Sequence, residues 1–172
     1  STLPSTYGGF GTSFNYKGFD LNADFSFQTG AYTYNQTYAN LVDFSSSEYN
    51  MSTDAAAYWQ KPGDVTFLPK PTTAGIRTSD AFLQKTDNIR FRNLEVGYTF
   101  DKNFLGESIP LNSIRIYGSG QNLALWTDFN GDPDVSLAVE GQANNNAYVP
   151  NAYTLYNYPN VRTFIVGMQI NF

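Results

Sequence analysis

The stretch that decides the fold is the last one in the chain, Asn160-Val-Arg-Thr-Phe-Ile-Val-Gly-Met-Gln-Ile-Asn-Phe172. Its large side chains share one parity and are Arg162, Phe164, Val166, Met168, Ile170 and Phe172. Small or polar residues fill the other parity from Thr163 to Asn171, except at Ile165. Because side chains alternate across a β-strand, the pattern predicts a strand with one apolar face. An apolar face ending on an aromatic carboxyl terminus is typical of the closing strand of an outer-membrane β-barrel.

A second alternating region contains a hairpin whose register follows from the sequence. Lys17-Gly18 suits a two-residue turn, since such turns require a positive φ that glycine adopts readily. Pairing Tyr16 with Phe19 then places apolar residues opposite one another on one face and polar residues on the other. The predicted apolar pairs are Phe14 with Leu21 and Phe10 with Phe25, and the polar pairs are Asn15 with Asp20, Ser13 with Asn22 and Gly11 with Asp24.

Alternation predicts an all-β, antiparallel segment of five strands. Leu94, Val96, Tyr98 and Phe100 share one apolar face, and Ile114, Ile116 and Gly118 share the next. Two long loops, about 36–80 and 128–160, interrupt the pattern, with a short helix expected from Asp54 to Trp59. The predicted strands are 7–16, 19–33, 88–100, 113–126 and 160–172.

Short and long connections alternate along the chain, so all short turns lie at one end of the sheet. Outer-membrane barrels place short turns and the carboxyl terminus on the periplasmic side, which predicts extracellular long loops. Five strands cannot close a barrel, because the smallest spanning barrels have eight. The chain also opens on Ser-Thr-Leu-Pro without a start Met or signal peptide. We therefore expect either a mature form or, with the strand count, a piece of one larger barrel domain covering residues 1–172.

Composition excludes several classes of function. The chain has 13 Tyr, 14 Phe and 2 Trp, no Cys and no His, and a net charge of −5. Without His or Cys, neither a zinc centre nor Ser-His or Cys-His catalysis can be assembled. An acidic chain with scattered Lys and Arg is a poor binder of nucleic acid. No run of 18 apolar residues is present to form a spanning helix. We expect no cofactor and no enzymatic activity.

Four ordered blocks outside the long loops resemble the carboxyl-terminal end of the SusC/RagA family, the TonB-dependent transporters of the Bacteroidota outer membrane. The blocks are Tyr7 to Leu21, Asn88 to Tyr98, Ser113 to Leu123 and Arg162 to Phe172. The resemblance implies the last five strands of a plugged barrel, for which 22 strands are typical. It also implies import of oligosaccharides or peptides, energy supplied by TonB through a missing amino-terminal part, and a SusD-like lipoprotein lid.

Both long loops carry aromatic and amide side chains. Such rings bury the apolar C–H surface of sugars or peptides while amides bind their polar groups, which predicts contact with solute or lid. The alternative is that the rings pack the loops against one another. The candidates are Tyr49, Tyr58, Trp59, Asn145, Tyr148, Tyr153, Tyr156 and Tyr158. Asp20, Asp24, Glu95 and Arg115 face the predicted lumen, where contact with plug or water is expected rather than acid–base catalysis.

A weak calcium candidate follows the fourth strand. Asp128, Asn130, Asp132 and Asp134 occupy positions one, three, five and seven of a calcium-loop pattern. Position six is Pro133 where the pattern requires glycine, and Glu140 falls one position beyond the usual bidentate Glu. The alternative is a turn rich in Asp, Pro and Gly, and we assign no metal.

The closing strand carries an expected assembly signal formed by Phe164, Val166, Met168, Ile170 and Phe172. In the family it resembles, this pattern is read by the barrel-assembly machinery. Two other functions remain open at this stage. One is a secreted all-β carbohydrate-binding domain, for which surface aromatics and many Asn are also expected. The other is an enzyme on a barrel, such as an esterase or protease, for which the sequence shows no assembled nucleophile and base.

Overall fold

A computed structural model of the chain describes residues 3–45, 50–72, 74–76, 79–106, 110–134, 138–139, 152–153 and 158–172. The strands are β1 (Thr6–Tyr16), β2 (Phe19–Thr29), β3 (Tyr32–Tyr34), β4 (Leu83–Lys85), β5 (Asn88–Asp101), β6 (Ser113–Thr127), β7 (Ala138–Val139), β8 (Ala152–Tyr153) and β9 (Thr163–Asn171). The α-helices are α1 (Gln36–Leu41) and α2 (Lys102–Leu105), and 3₁₀ helices span Thr53–Ala57 and Asp80–Phe82. In these ranges, no helix has the length and apolar character needed to cross a bilayer.

The five long strands form one antiparallel sheet in the order β1-β2-β5-β6-β9, hereafter the main sheet. This is the strand order that the sequence predicts. Strands β1 and β9 lie at the two edges, each hydrogen-bonded on one side to a strand of this sheet. The short connections meet at one end of the main sheet, and both long loops leave from the other.

The predicted hairpin register is confirmed. Tyr16 pairs with Phe19, Phe14 with Leu21 and Phe10 with Phe25. Lys17 and Gly18 have φ values of 47° and 85°, as a two-residue turn between twisted strands requires. A Cβ added to Gly18 would lie 2.6 Å from the carbonyl oxygen of Thr99, so only glycine fits this turn without a shift of the neighbouring strand.

One face of the main sheet, the apolar face, is covered by aromatic and aliphatic side chains that remain open to the surroundings. The ring of Phe25 stacks between those of Phe10 and Phe91, with centroid distances of 4.9 and 4.5 Å. Phe10 is 56% exposed, and Val166 at the opposite edge is 83% exposed. Large apolar patches open to water are unusual in soluble monomers, so this face is suited to lipid.

A β-bulge at Arg92 shifts the alternation inside β5. Phe25 of β2 pairs with Phe91, whereas the adjacent Asp24 pairs with Asn93, so Arg92 is an extra residue. The bulge explains why Ile89 and Phe91 share the apolar face with Leu94 despite their opposite parity. It also directs Arg92 to the other, polar face of the sheet, where its Nε donates to Ser26 Oγ at 2.7 Å.

Two predicted strand boundaries need correction. The second strand ends at Thr29 rather than 33, because the chain turns at Gly30, whose N–H donates to Asp87 Oδ1 at 2.7 Å. Tyr32–Tyr34 then joins a different sheet as β3. The last strand begins at Thr163 rather than 160, because its pairing with β6 starts only at the Gln121–Thr163 pair.

Short strands occur within the described parts of both long loops, where the lost alternation predicted no regular structure. They form a second sheet in the order β4-β3-β8-β7, in which Tyr34 of the first loop pairs with Tyr153 of the last. The helix expected at Asp54 to Trp59 is the 3₁₀ helix Thr53–Ala57, capped by the Ser52 hydroxyl. A small core lies in the first loop and consists of Ala39, Val42, Ala55, Leu68 and Phe82.

Candidate functional site

Charged side chains occupy the polar face of the main sheet near its short-turn end. Arg115 of β6 donates from Nε to Asp20 Oδ1 at 3.0 Å and from Nη2 to Glu95 Oε1 at 2.7 Å. The three residues come from β2, β5 and β6, so one guanidinium joins three strands. The Arg115 Cζ also lies 4.9 Å from the Tyr117 ring centroid. Sequence parity placed these charges on one face, and the structure shows that they form an ion triad.

Gly97 makes this triad possible. It lies opposite Asp20 on β2 and Tyr117 on β6. A Cβ at this position would lie 2.7 Å from both the Arg115 Nη2 and the Asp20 carboxylate oxygens. Because Gly97 has no side chain, the charged groups of the ion triad can pack directly against its backbone. Arg115 is paired with both Asp20 and Glu95, so the triad links the three strands.

A second ion cluster, hereafter the clasp, lies at the long-loop end of the polar face. It consists of Arg90, Arg92, Asp132 and Asp134. Arg90 Nη2 is bonded to Asp132 Oδ1, and the two side chains are only 3% and 4% exposed. Asp132 Oδ1 also accepts from the backbone N–H of Asp134 at 3.0 Å, and its Oδ2 accepts from that of Asn160 at 3.0 Å. Both oxygens of this buried carboxylate are therefore satisfied.

Asp134 completes the clasp. Its Oδ2 lies 2.8 Å from Arg90 Nε and 2.7 Å from Arg92 Nη2. The contact with Arg90 Nε is an ion pair that lacks the alignment of a hydrogen bond. Two guanidinium groups thus neutralise two carboxylates. Arg92 is the extra residue of the bulge in β5, and it carries the second positive charge of the clasp.

The first long loop carries a groove of about 370 Å³ beside its small core. Asp43 fixes one wall, since its carboxylate accepts from the N–H of Ser45 at 2.9 Å and that of Ile76 at 3.1 Å. Burial opposes ionisation of Asp43, but these hydrogen bonds outweigh it and lower its pKa. The remaining walls are mostly apolar and include Phe44, Phe67, Leu68, Pro69, Pro71 and Phe82.

The aromatic candidates for solute or lid contact divide into packed and open side chains. Tyr58 packs against the core of the first loop, and its ring lies edge-on to Phe44 at 5.4 Å. Trp59 is half-buried, and its backbone N–H donates to Leu68 O at 3.0 Å. Tyr158 is 79% exposed at the end of the last loop. Tyr49, Asn145, Tyr148, Tyr156 and the side chain of Tyr153 lie outside the described residues.

The four residues of the calcium candidate do not face a common point. The carboxylates of Asp132 and Asp134 face the two arginines of the clasp. Asp128 is exposed, and the Asn130 N–H donates to Gln84 Oε1 at 3.2 Å. In the described part of the chain, no three Asp, Glu, His or Cys residues are grouped to hold a metal ion. The geometry is that of an ion-paired turn. Glu140 lies outside the described residues.

Sequence reasoning missed Arg90 and Arg92. A signal was nevertheless present, because Asn88-Ile-Arg-Phe-Arg-Asn93 places apolar residues at odd positions and Leu94 begins an even series. Such a change of phase within one strand is what a bulge produces. The acidic partner of each arginine lies some 40 positions along the chain, as the Arg90–Asp132 pair shows, so strand periodicity could not have indicated it.

The chain has the same fold as part of a known transporter structure. The chain superposes on the RagAB peptide importer in its closed-closed state with a TM-score of 0.79 at 21% identity, covering all of this chain and 18% of that one. It is 32% identical over 165 residues to the TonB-dependent receptor P3 of Formosa agariphila, covering 95% of this chain and 16% of the receptor. The TonB-dependent receptor SusC of Bacteroides thetaiotaomicron is 26% identical over 156 residues, covering 88% of this chain and 14% of SusC. No protein-family model matches.

These matches decide the family. The chain is a SusC/RagA-type segment. It spans about a sixth of the length of the curated relatives it matches, which fits one part of such a protein. The SusC/RagA relatives are outer-membrane transporters and receptors rather than enzymes.

Proposed function

We propose that the chain forms the last five strands of a SusC-like, TonB-dependent transporter that imports oligosaccharides or peptides. The proposal is carried by one observation, the two-faced sheet of five antiparallel strands that has the fold of the RagAB importer. Its apolar face suits lipid, and its open edges β1 and β9 suit continuation into a closed barrel of about 22 strands. The segment then supplies wall and loops to one barrel domain, with no catalysis and no cofactor.

The proposed orientation has the long loops outside the cell and the carboxyl terminus in the periplasm, since barrels of this kind have their short turns on the periplasmic side. A SusD-like lipoprotein lid would then cover the outer sheet. TonB and the plug would act through the part of the transporter that precedes these strands. The outward stripe Phe164, Val166, Met168, Ile170 and Phe172 would serve as the assembly signal and seal the last strand to the first.

Solute recognition is assigned to the open aromatic side chains of the outer loops. Trp59 and Tyr158 are described and partly or largely exposed, whereas Tyr58 contributes to the loop core. A ring that stacks on a sugar or a peptide group contributes about 0.5–1.5 kcal/mol. Tyr49, Asn145, Tyr148, Tyr153 and Tyr156 remain proposed contacts of solute or lid.

In the complete transporter, Trp59→Ala together with Tyr158→Ala is expected to weaken solute uptake by roughly 5- to 150-fold, because two lost rings remove about 1–3 kcal/mol of stacking energy. The matched control is Tyr16→Ala, an exposed tyrosine at the opposite end of the main sheet. Uptake of labelled oligosaccharide and peptide is measured per folded barrel, alongside native mass spectrometry of co-purified solute. The proposed function would be contradicted if the unmodified transporter showed no uptake and contained no co-purified saccharide or peptide.

A further inference from the structure

One carboxylate at the base of the last outer loop joins its two arms. The loop leaves β6 after Thr127 and returns to β9 before Thr163. Asp132 lies on the departing arm, and its Oδ2 accepts the backbone N–H of Asn160 on the returning arm at 3.0 Å. Its Oδ1 is bonded to Arg90 of the wall. One side chain therefore connects both arms of the loop to strand β5.

Because this connection is buried, its charged groups need all of their partners. The side chains of Asp132 and Arg90 are almost fully buried. A buried charge is tolerated only when its partner charge and its hydrogen bonds are all in place, because desolvation opposes it. Asp132 satisfies this condition through Arg90, Asp134 N and Asn160 N together. Loss of its charge would leave Arg90 short of a partner, since the second contact of Arg90, to Asp134, is shared with Arg92.

The same turn also touches the first outer loop. The N–H of Asn130 donates to Gln84 Oε1 at 3.2 Å, and Asn35 Nδ2 donates to the same oxygen at 3.2 Å. Asn35 caps α1, and Gln84 belongs to β4. The base of the last loop is thereby connected to the first loop as well as to the wall, so a change at Asp132 would affect the placement of both.

We propose that Asp132 is a positioning residue for solute capture: by joining Arg90 to both arms of the last loop, it holds the outer loops in place over the barrel mouth. The proposal rests on the proposed function of import. In it, the guanidinium groups of Arg90 and Arg92 supply the positive charge that a calcium ion would supply in a metal-binding loop. The turn is thus ordered without an added cation.

The test uses the complete transporter with its lid and compares Asp132→Asn with Asp128→Asn. Both changes remove one negative charge from the same turn, but Asp128 is exposed. We expect hydrogen exchange of the Asn160 amide to become at least tenfold faster in the Asp132 variant. Uptake per folded barrel should fall, while the Asp128 variant matches the unmodified protein in both measurements. Heat-modifiable gel mobility measures the amount of folded barrel.

A second variant keeps the proposal testable if Asp132→Asn fails to fold. Asn160→Pro removes the backbone N–H that donates to the Asp132 carboxylate, and it leaves every charge of the clasp in place. It should lower uptake per folded barrel, with the amount of barrel unchanged. Normal uptake per folded barrel in this variant, or unchanged Asn160 exchange in Asp132→Asn, would overturn the proposal. Faster Asn160 exchange on adding EDTA to the unmodified protein would also overturn it, in favour of a calcium loop.

Failure of the proposed function is recognised separately. It would appear as absent uptake in the unmodified transporter, which is measured first. In that event, Asn160 exchange and protease cleavage within the last loop of Asp132→Asn still report whether the clasp holds the loop. Faster exchange and cleavage than in Asp128→Asn would support the clasp, and equal rates would overturn it.

Discussion

Val96→Arg in the complete transporter should sharply reduce the amount of folded barrel in the outer membrane. Val96 lies on the apolar face of β5, between Leu21 of β2 and Gly118 of β6. An arginine facing lipid near the bilayer midplane costs about 2–4 kcal/mol, a large share of the marginal stability of a protein. Heat-modifiable gel mobility of the outer-membrane fraction measures the effect.

Ser119→Arg is the matched control for Val96→Arg. Ser119 pairs with Glu95, the residue next to Val96, so the two substitutions lie at the same depth on opposite faces of the sheet. An arginine there enters a polar interior beside a carboxylate, and folded barrel should remain near the unmodified amount. Equal losses in both variants would contradict the assignment of the two faces.

Residues 1–172 expressed alone should aggregate in the absence of detergent. Both edges of the main sheet would lack partners, and open strand edges pair with other chains. The apolar face would also be bare to water, with Phe14 and Phe164 exposed at 54% and 74%. Sedimentation velocity and thermal unfolding provide the measurement.

The informative comparison for the isolated segment is the same chain refolded into detergent micelles, which cover the apolar face but leave the edges open. Micelles should reduce aggregation without producing a cooperative unfolding transition, because the edge strands still lack partners. A monomer that melts cooperatively in plain buffer would contradict the view that these strands are part of a larger barrel.

Strand order and register were predictable because they depend on local alternation. Phe14 lies opposite Leu21 once Lys17-Gly18 is recognised as a turn, and parity then carries the register along the hairpin. The same parity placed Asp20, Glu95 and Arg115 on one face. It could not reveal that one guanidinium binds both carboxylates, since that depends on the register of three strands and the space above Gly97.

The outer loops resisted prediction for a different reason. Their sheet is made of two- and three-residue strands, and its central pair joins Tyr34 to Tyr153, far apart in sequence. Strands this short show no alternation, and their pairing depends on where the main sheet places the loop ends. The clasp is similar, because Arg90 acquires its partner only when the turn after β6 folds back over the polar face.

Lipid exposure along β6 shows whether the apolar face of the main sheet is the outer wall of a barrel. The chain has no native cysteine, so single cysteines carrying a nitroxide label can be placed at successive positions in the complete transporter. A lipid-facing apolar face predicts that collisions with oxygen, which concentrates in lipid, peak at 114, 116 and 118, while collisions with a water-soluble nickel chelate peak at 117 and 119. Uniform accessibility, or alternation with the opposite phase, would contradict it.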